Sequence, residues 1–185
     1  MTRILVLLVT LLLLSACSLF KTRSAQPPTS FSGRDFTEYS DILDALIDIY
    51  ANPGRSSELA TLLDDTLFYF QADSADASDM SGKPSRWGRN EEISVTAAIL
   101  SDSANGVAVF ANTGANAPAR IFVSSDSVVL RWDYQFVRND NAQFAGTSYF
   151  TLVRRQGRFY MRDWKDYRNT VLGYKSWGRW KLENR

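Results

Sequence analysis

The sequence predicts an α+β domain built on an antiparallel sheet. Three observations carry this. Residues 128–137, 144–155 and 158–167 are rich in Val, Phe, Tyr and Trp, which suit a pleated, half-buried surface. Asn139-Asp140-Asn141 and Gln156-Gly157 supply turns between them, so the three read as a meander. N-terminal to the meander, apolar residues recur at spacings of three and four, the mark of helices with one buried face that need a sheet to lie on.

The chain opens on a targeting segment. Met1-Thr2-Arg3 is positively charged, residues 4–14 form an apolar run of eleven, and small residues precede Cys17. This is the layout of a secretory signal. As a helix the run is about 16 Å long, against ~30 Å for a bilayer core, which argues against a spanning anchor. Leu14-Ser15-Ala16-Cys17 resembles the bacterial lipobox, and the only cysteine of the chain stands in it. The resemblance implies that residues 1–16 are removed and that Cys17 is acylated on its sulfur and its new amine. Several buried acyl chains, at ~0.8 kcal/mol per CH₂, anchor stably where one does not. Ser18 resembles the sorting residue of cargo sent to the outer membrane, in an organism that has one. The expectation is an exported lipoprotein held to the cell envelope through Cys17. Residues 17–32, with Pro27-Pro28 and several Ser and Thr, read as a tether. Residues 33–170 read as the domain and 171–185 as an aromatic, basic tail.

The helices follow. Asp35 and Glu38 suggest a cap and its reciprocal acid. Phe36, Tyr39, Leu43, Leu46 and Tyr50 then form one stripe, and Asn52-Pro53-Gly54 ends the helix. Residues 56–63 suggest a second, short helix and residues 66–71 a strand. Residues 72–89 are polar and aperiodic and read as a loop. Glu91 and Glu92 suit the first turn of a third helix, with Trp87 packing back onto it. Residues 106–111 and 120–123 are short strand candidates on either side of a loose segment at 112–118.

Composition narrows the chemistry. One cysteine excludes an internal disulfide. The absence of histidine removes the commonest general base and transition-metal ligand. A net charge of +1 creates no field that selects nucleic acid. Asp73, Asp76 and Asp79 sit three apart, unlike the alternating acids of a calcium loop. No metal and no cofactor is implied.

The segments Asp64-Asp65-Thr66-Leu67-Phe68-Tyr69-Phe70, Trp87-Gly88-Arg89-Asn90-Glu91-Glu92-Ile93 and Gly157-Arg158-Phe159 with Trp164-Lys165-Asp166-Tyr167 resemble, in order and spacing, the nuclear transport factor two-like (SnoaL-like, cystatin-like) superfamily. The resemblance covers roughly residues 36–167. It implies a curved antiparallel sheet wrapped around the N-terminal helices as a cone, with a pocket closed by the first helices, and for many members a homodimer through the outer sheet face.

Three functions stay open. In the first, the cone binds a small apolar ligand, or the domain binds an envelope protein partner, without catalysis. Tyr39, Leu43, Leu46, Tyr50, Trp132, Tyr134 and Phe150 would wall the pocket. In the second, resemblance to epoxide hydrolases of the superfamily implies a hydrolase or isomerase. Asp133 and Asp166 would be the carboxylates, Arg131 would lie between them, and Tyr69 and Gln71 would position water. The competing reading leaves Arg131 and Asp133 as an exterior ion pair. In the third, the domain only mediates assembly. The tail, with aromatics interleaved with bases, is expected to cover a sheet edge or join a dimer contact.

Overall fold

The computed structural model describes residues 34–80, 82–111 and 119–185. The signal, the tether, Cys17 and the whole 112–118 segment lie outside them. In chain order the elements are α1 (Tyr39–Ala51), a 3₁₀ helix (Pro53–Thr61), β1 (Tyr69–Gln71), α2 (Ser74–Ser78), β2 (Arg86–Gly88), α3 (Arg89–Ile99), a 3₁₀ turn (Ser103–Asn105), β3 (Val107–Ala111), β4 (Ala119–Val123), β5 (Ser127–Arg138), β6 (Gln143–Arg155), β7 (Arg158–Arg168) and α4 (Trp177–Glu183).

The meander β5-β6-β7 stands where the sequence places it. Gln156 and Gly157 both take positive φ, 52° and 80°, as the tight two-residue hairpin between β6 and β7 requires. The sheet runs β2-β1-β7-β6-β5-β3, and β4 shares the β5 edge with β3. Every pairing is antiparallel except β1 with β7, which run parallel. A bulge in β7 falls at Arg162, between the Thr151↔Asp163 and Leu152↔Met161 pairs. A bulge bends a strand and shifts the phase of its side chains. Before it Phe159 and Met161 face inward; after it Trp164 and Asp166 do.

Helix α1 packs against the 3₁₀ helix and against β3 and β7, burying Ile42, Leu43, Leu46, Ile49 and Tyr50 in the core. It starts one turn later than expected. Glu38 and Asp41 make the reciprocal capping box, while Asp35 bonds Thr37 instead. The second, short helix expected over residues 56–63 is present as a 3₁₀ helix that starts earlier, at Pro53, and ends at Thr61. Residues 72–89, expected as plain loop, contain α2, capped by Asp73, and the short strand β2.

The larger correction concerns the C-terminus. Residues 171–185 are not a surface tail. Lys175 adds one bridge to Phe144 of β6 beyond the end of β7, and the chain then turns inward as α4. Trp177, Lys181 and Leu182 are fully buried and Trp180 is 2% exposed. Periodicity over seven residues is too short to announce a helix. Among the described residues the core runs from Phe36 to Leu182, within the compact unit formed by residues 31–185.

Gly146 of β6 makes room for this arrangement. A Cβ there would stand 2.4 Å from the Tyr134 hydroxyl and 2.6 Å from the Tyr167 carbonyl. Gly146→Ala is expected to lower stability by about 2–3 kcal/mol. The urea-unfolding midpoint should fall accordingly; an unchanged midpoint would contradict the packing described.

Candidate functional site

The inner face of the sheet carries a buried polar cluster, and α4 completes it. Ser176 caps the helix, accepting from the Arg179 amide (2.9 Å) while its hydroxyl donates to Asp76 (2.7 Å). The first turn then meets β7. The Gly178 amide donates to Asp166 Oδ2 at 2.6 Å, and the Trp177 amide donates to the Tyr134 hydroxyl at 2.6 Å. Tyr134 in turn donates to Asp166 Oδ2 (3.1 Å), and Ser148 donates to Oδ1 (2.7 Å). The Trp164 indole N–H donates to the Ser148 oxygen (3.1 Å). Asp166 is wholly buried with both oxygens engaged by protein donors. A carboxylate at the amino end of a helix suits the helix dipole.

The second half of the cluster sits one turn along α4. Lys181 pairs with Glu92 of α3, both without exposed surface. Its ammonium lies 3.5 Å from the Trp164 ring centroid and 4.3 Å from that of Phe70. Glu92 also accepts from the Trp87 indole (2.8 Å) and from the Thr96 hydroxyl (3.2 Å), and Thr96 meets the Tyr50 hydroxyl at 3.2 Å. Lys83 closes the far end of α4 by donating to the Leu182 carbonyl (2.5 Å).

Burial governs the electrostatics. It raises the Asp166 pKa to about 6, against the pull of Ser148, the Gly178 amide, Tyr134 and Lys181. Burial lowers Lys181 to about 8, opposed by Glu92 and Asp166. Burial pushes the Tyr50 and Tyr134 hydroxyls well above the usual tyrosine value. A carboxyl near 6 is suited to proton transfer when a substrate reaches it. Here it is buried against the first turn of α4, whose Gly178 amide engages it.

The expected pocket residues are brought together, but as packed core. Leu43, Leu46, Tyr50, Trp132, Tyr134 and Phe150 are buried on the inner face, with Tyr39 at its margin. Trp177 fills the space between them, its ring 4.6 Å from Tyr50, 5.6 Å from Tyr134 and 6.3 Å from Trp132. Sequence reasoning missed Trp177, Trp180 and Lys181 as interior groups. The density of aromatics in so short a segment was the available signal.

The expected catalytic group is not assembled. Trp132, Ser148 and Asp166 are cross-strand partners on the inner face, whereas Asp133, Thr147 and Tyr167 are partners on the outer one. Asp133 and Asp166 therefore stand on opposite faces of the sheet. Arg131 pairs with Asp133 at 3.0 Å, with side chains 47% and 59% exposed, and Thr147 donates to the same carboxylate at 2.7 Å. Tyr69 and Gln71 flank the buried Phe70, so alternation puts them on the outer face too, where Arg86 stacks on the Tyr69 ring at 3.6 Å. The bulge at Arg162 is what turns Asp166 away from them. Among the described residues no cluster of three or more acids is placed to hold a metal ion.

Two predictions follow from the cluster's charges. Asp166 titrates higher folded than unfolded, so its contribution is present at low pH and is lost as pH rises through about 6. Relative to Asp166→Asn, the wild-type domain should lose roughly 3 kcal/mol between pH 4 and pH 7, read from denaturant midpoints; parallel profiles would refute the assignment. Lys181→Met leaves Glu92 buried without its cation and should cost about 3–5 kcal/mol. Lys181→Met with Glu92→Gln should unfold later than the single variant, and a double-mutant cycle without coupling would count against the pair.

Neither a family model nor a curated protein matches the sequence. Solved structures do. A Xanthomonas campestris protein described as a calcium/calmodulin-dependent protein kinase II association domain shares 12% identity, with 72% of this chain and 86% of that one covered and a TM-score of 0.52. An NTF2-like protein of unknown function from Mesorhizobium loti shares 14% identity over 70% of this chain and 89% of its own, with a TM-score of 0.42. A Novosphingobium aromaticivorans protein described as an aromatic ring hydroxylase shares 10% identity over 70% and 85%, at 0.49. These are likenesses of fold: with the first of them the chain shares a mixed α+β architecture, a curved sheet packed around helices.

Proposed function

We propose that this protein is an exported, lipid-anchored envelope protein whose cone is a non-catalytic docking domain, self-sealed inside and joined to a second copy through the outer face of its sheet. The sealed interior carries the reading: Trp177, at 0% exposure, occupies the space a small apolar ligand would need. With the interior filled by the protein itself, the surface left for recognition is the outer face.

That face supports the docking role. Val129, Arg131, Thr147, Tyr149, Lys165 and Tyr167 line an open depression of about 600 Å³ on it. Tyr149 and Tyr167 meet edge to face at 5.8 Å and form a rigid aromatic ridge flanked by Arg131 and Lys165. Aromatic residues and Arg are favoured at protein interfaces because they bury much area at low entropic cost. The lipobox-like segment ending at Cys17 supports the anchoring half of the reading.

The test combines fractionation with cross-linking in cells. Wild-type protein should pellet with membranes as a cross-linked dimer, with a mature mass that begins at acylated Cys17. Cys17→Ser should leave the membrane fraction, and Tyr167→Glu should remain there as a monomer. A monomeric wild type sinks the docking half, and continued pelleting of Cys17→Ser sinks the anchoring half.

A further inference from the structure

A second cleft opens at the end of the sheet where β6 turns into β7. It has a volume of about 600 Å³, and Arg89, Arg155 and Arg158 line it together with Asp64, Asp65 and Tyr160. The two acids are drawn to one arginine. Arg155 lies 2.9 Å from buried Asp64 and 3.7 Å from Asp65. Asp64 is further committed to the Thr66 and Leu67 amides at 3.0 and 3.1 Å.

Arg89 and Arg158 are left without a carboxylate partner among the described residues. Each is held by a main-chain oxygen: Arg89 donates to the Ala60 carbonyl (2.9 Å) and Arg158 to the Thr61 carbonyl (3.0 Å). Those carbonyls are consecutive, and both arginines line the one cleft. Arg158 is also stacked on Phe36, its guanidinium 4.5 Å from the ring centroid. A guanidinium carries five N–H donors in a planar fork, and these two spend few of them on the protein. Two half-buried cations in one cleft, neither in an ion pair among the described residues, leave room for an oxyanion to supply charge-assisted hydrogen bonds.

The comparison with the cleft at the opposite end of β7 sharpens the point. That cleft also holds three cations, Arg168, Lys175 and Arg179. There each has a carboxylate: Asp79 lies 3.8 Å from Arg168 and 3.5 Å from Arg179, and Glu183 lies 2.9 Å from Lys175. Charge is locally settled at that end and unsettled at the Arg89–Arg158 end.

We propose that the Arg89–Arg155–Arg158 cleft is a binding site for a phosphate-bearing anion. Arg89 and Arg158 grip the phosphate oxygens, and Arg155, tethered by Asp64, closes one side. Phe36, near the start of the described residues, belongs to this end of the sheet: it stacks under Arg158 and accepts the Phe159 amide through its carbonyl (2.8 Å). A phosphate on a lipid headgroup and a phosphate in solution share the chemistry that fits. The lipid source rests on the envelope reading above, whereas the site itself does not.

The test uses residues 31–185, which form the compact unit and carry no lipid, so its outcome is independent of whether Cys17 is acylated. One arm titrates inorganic phosphate in chloride buffer by calorimetry. The other co-sediments the protein with vesicles of phosphatidylglycerol in phosphatidylcholine. The expected result is binding in at least one arm, weakened tenfold or more by Arg89→Gln with Arg158→Gln and unaltered by Arg168→Gln with Arg179→Gln. Vesicle binding without phosphate binding assigns the headgroup, and phosphate binding alone assigns a soluble ligand. A readout on unaltered protein guards against a variant that fails to fold: the bound probe should protect Arg89 and Arg158 from phenylglyoxal, mapped by mass spectrometry. Binding in neither arm, or equal modification with and without probe, overturns the site.

Discussion

The carboxylate of Asp166 is the point on which the interior depends. It is buried on the inner face of β7 and faces the first turn of α4. Without the Gly178 amide and the Tyr134 hydroxyl it would be a desolvated charge in an aromatic core, a state that proteins avoid by pairing or protonation. With them it is a latch. The helix supplies donors, the sheet supplies the acceptor, and Tyr134 passes a second backbone amide, that of Trp177, into the same network. The Lys181–Glu92 pair repeats the arrangement one turn along and ties α4 to α3. Neither pair is a strong source of net stability, because desolvation consumes most of the Coulombic gain. Their effect is to make one position of α4 far better than any other.

Aromatic packing supplies the driving force that the polar groups direct. Trp177 touches Tyr50, Phe110, Trp132, Tyr134, Phe136 and Trp164 at ring separations from 4.6 to 6.3 Å, mostly edge to face or tilted. Burying one such indole is worth about 4–6 kcal/mol at ~25 cal/mol per Å². The cone is thus completed by its own C-terminal segment, which packs Trp177 and Trp180 into the aromatic core beside the buried Asp166 carboxyl.

Much of the fold was legible in the chain. The meander, the first helix and the helix after Trp87 announced themselves because their burial faces follow simple periods over ten or more residues. The fold class followed from their order. The site was legible only in part. Trp132 and Tyr134 could be named as inward-facing from strand alternation, and Tyr50 from the three-and-four spacing of its helix. Asp166 could be named as a candidate but not placed, because one extra residue at Arg162 reverses the alternation that precedes it. Counting by twos from Phe159 would send Asp163 and Lys165 inside and leave Asp166 on the outer face, beside Arg131 and Asp133.

What the sequence determined by itself is local: which stretches coil, which extend, where they turn, and the lipobox-like segment ahead of Cys17. Those properties depend on residues a few positions apart. What only the tertiary structure decided is where the last fifteen residues go and what Asp166 meets. Trp177, Lys181 and Leu182 are apolar or charged in a pattern that suits a surface as well as a core. Their burial depends on partners more than forty residues away, Tyr134 and Glu92 among them, and on a cavity that exists only once β5, β6 and β7 have curved around α1.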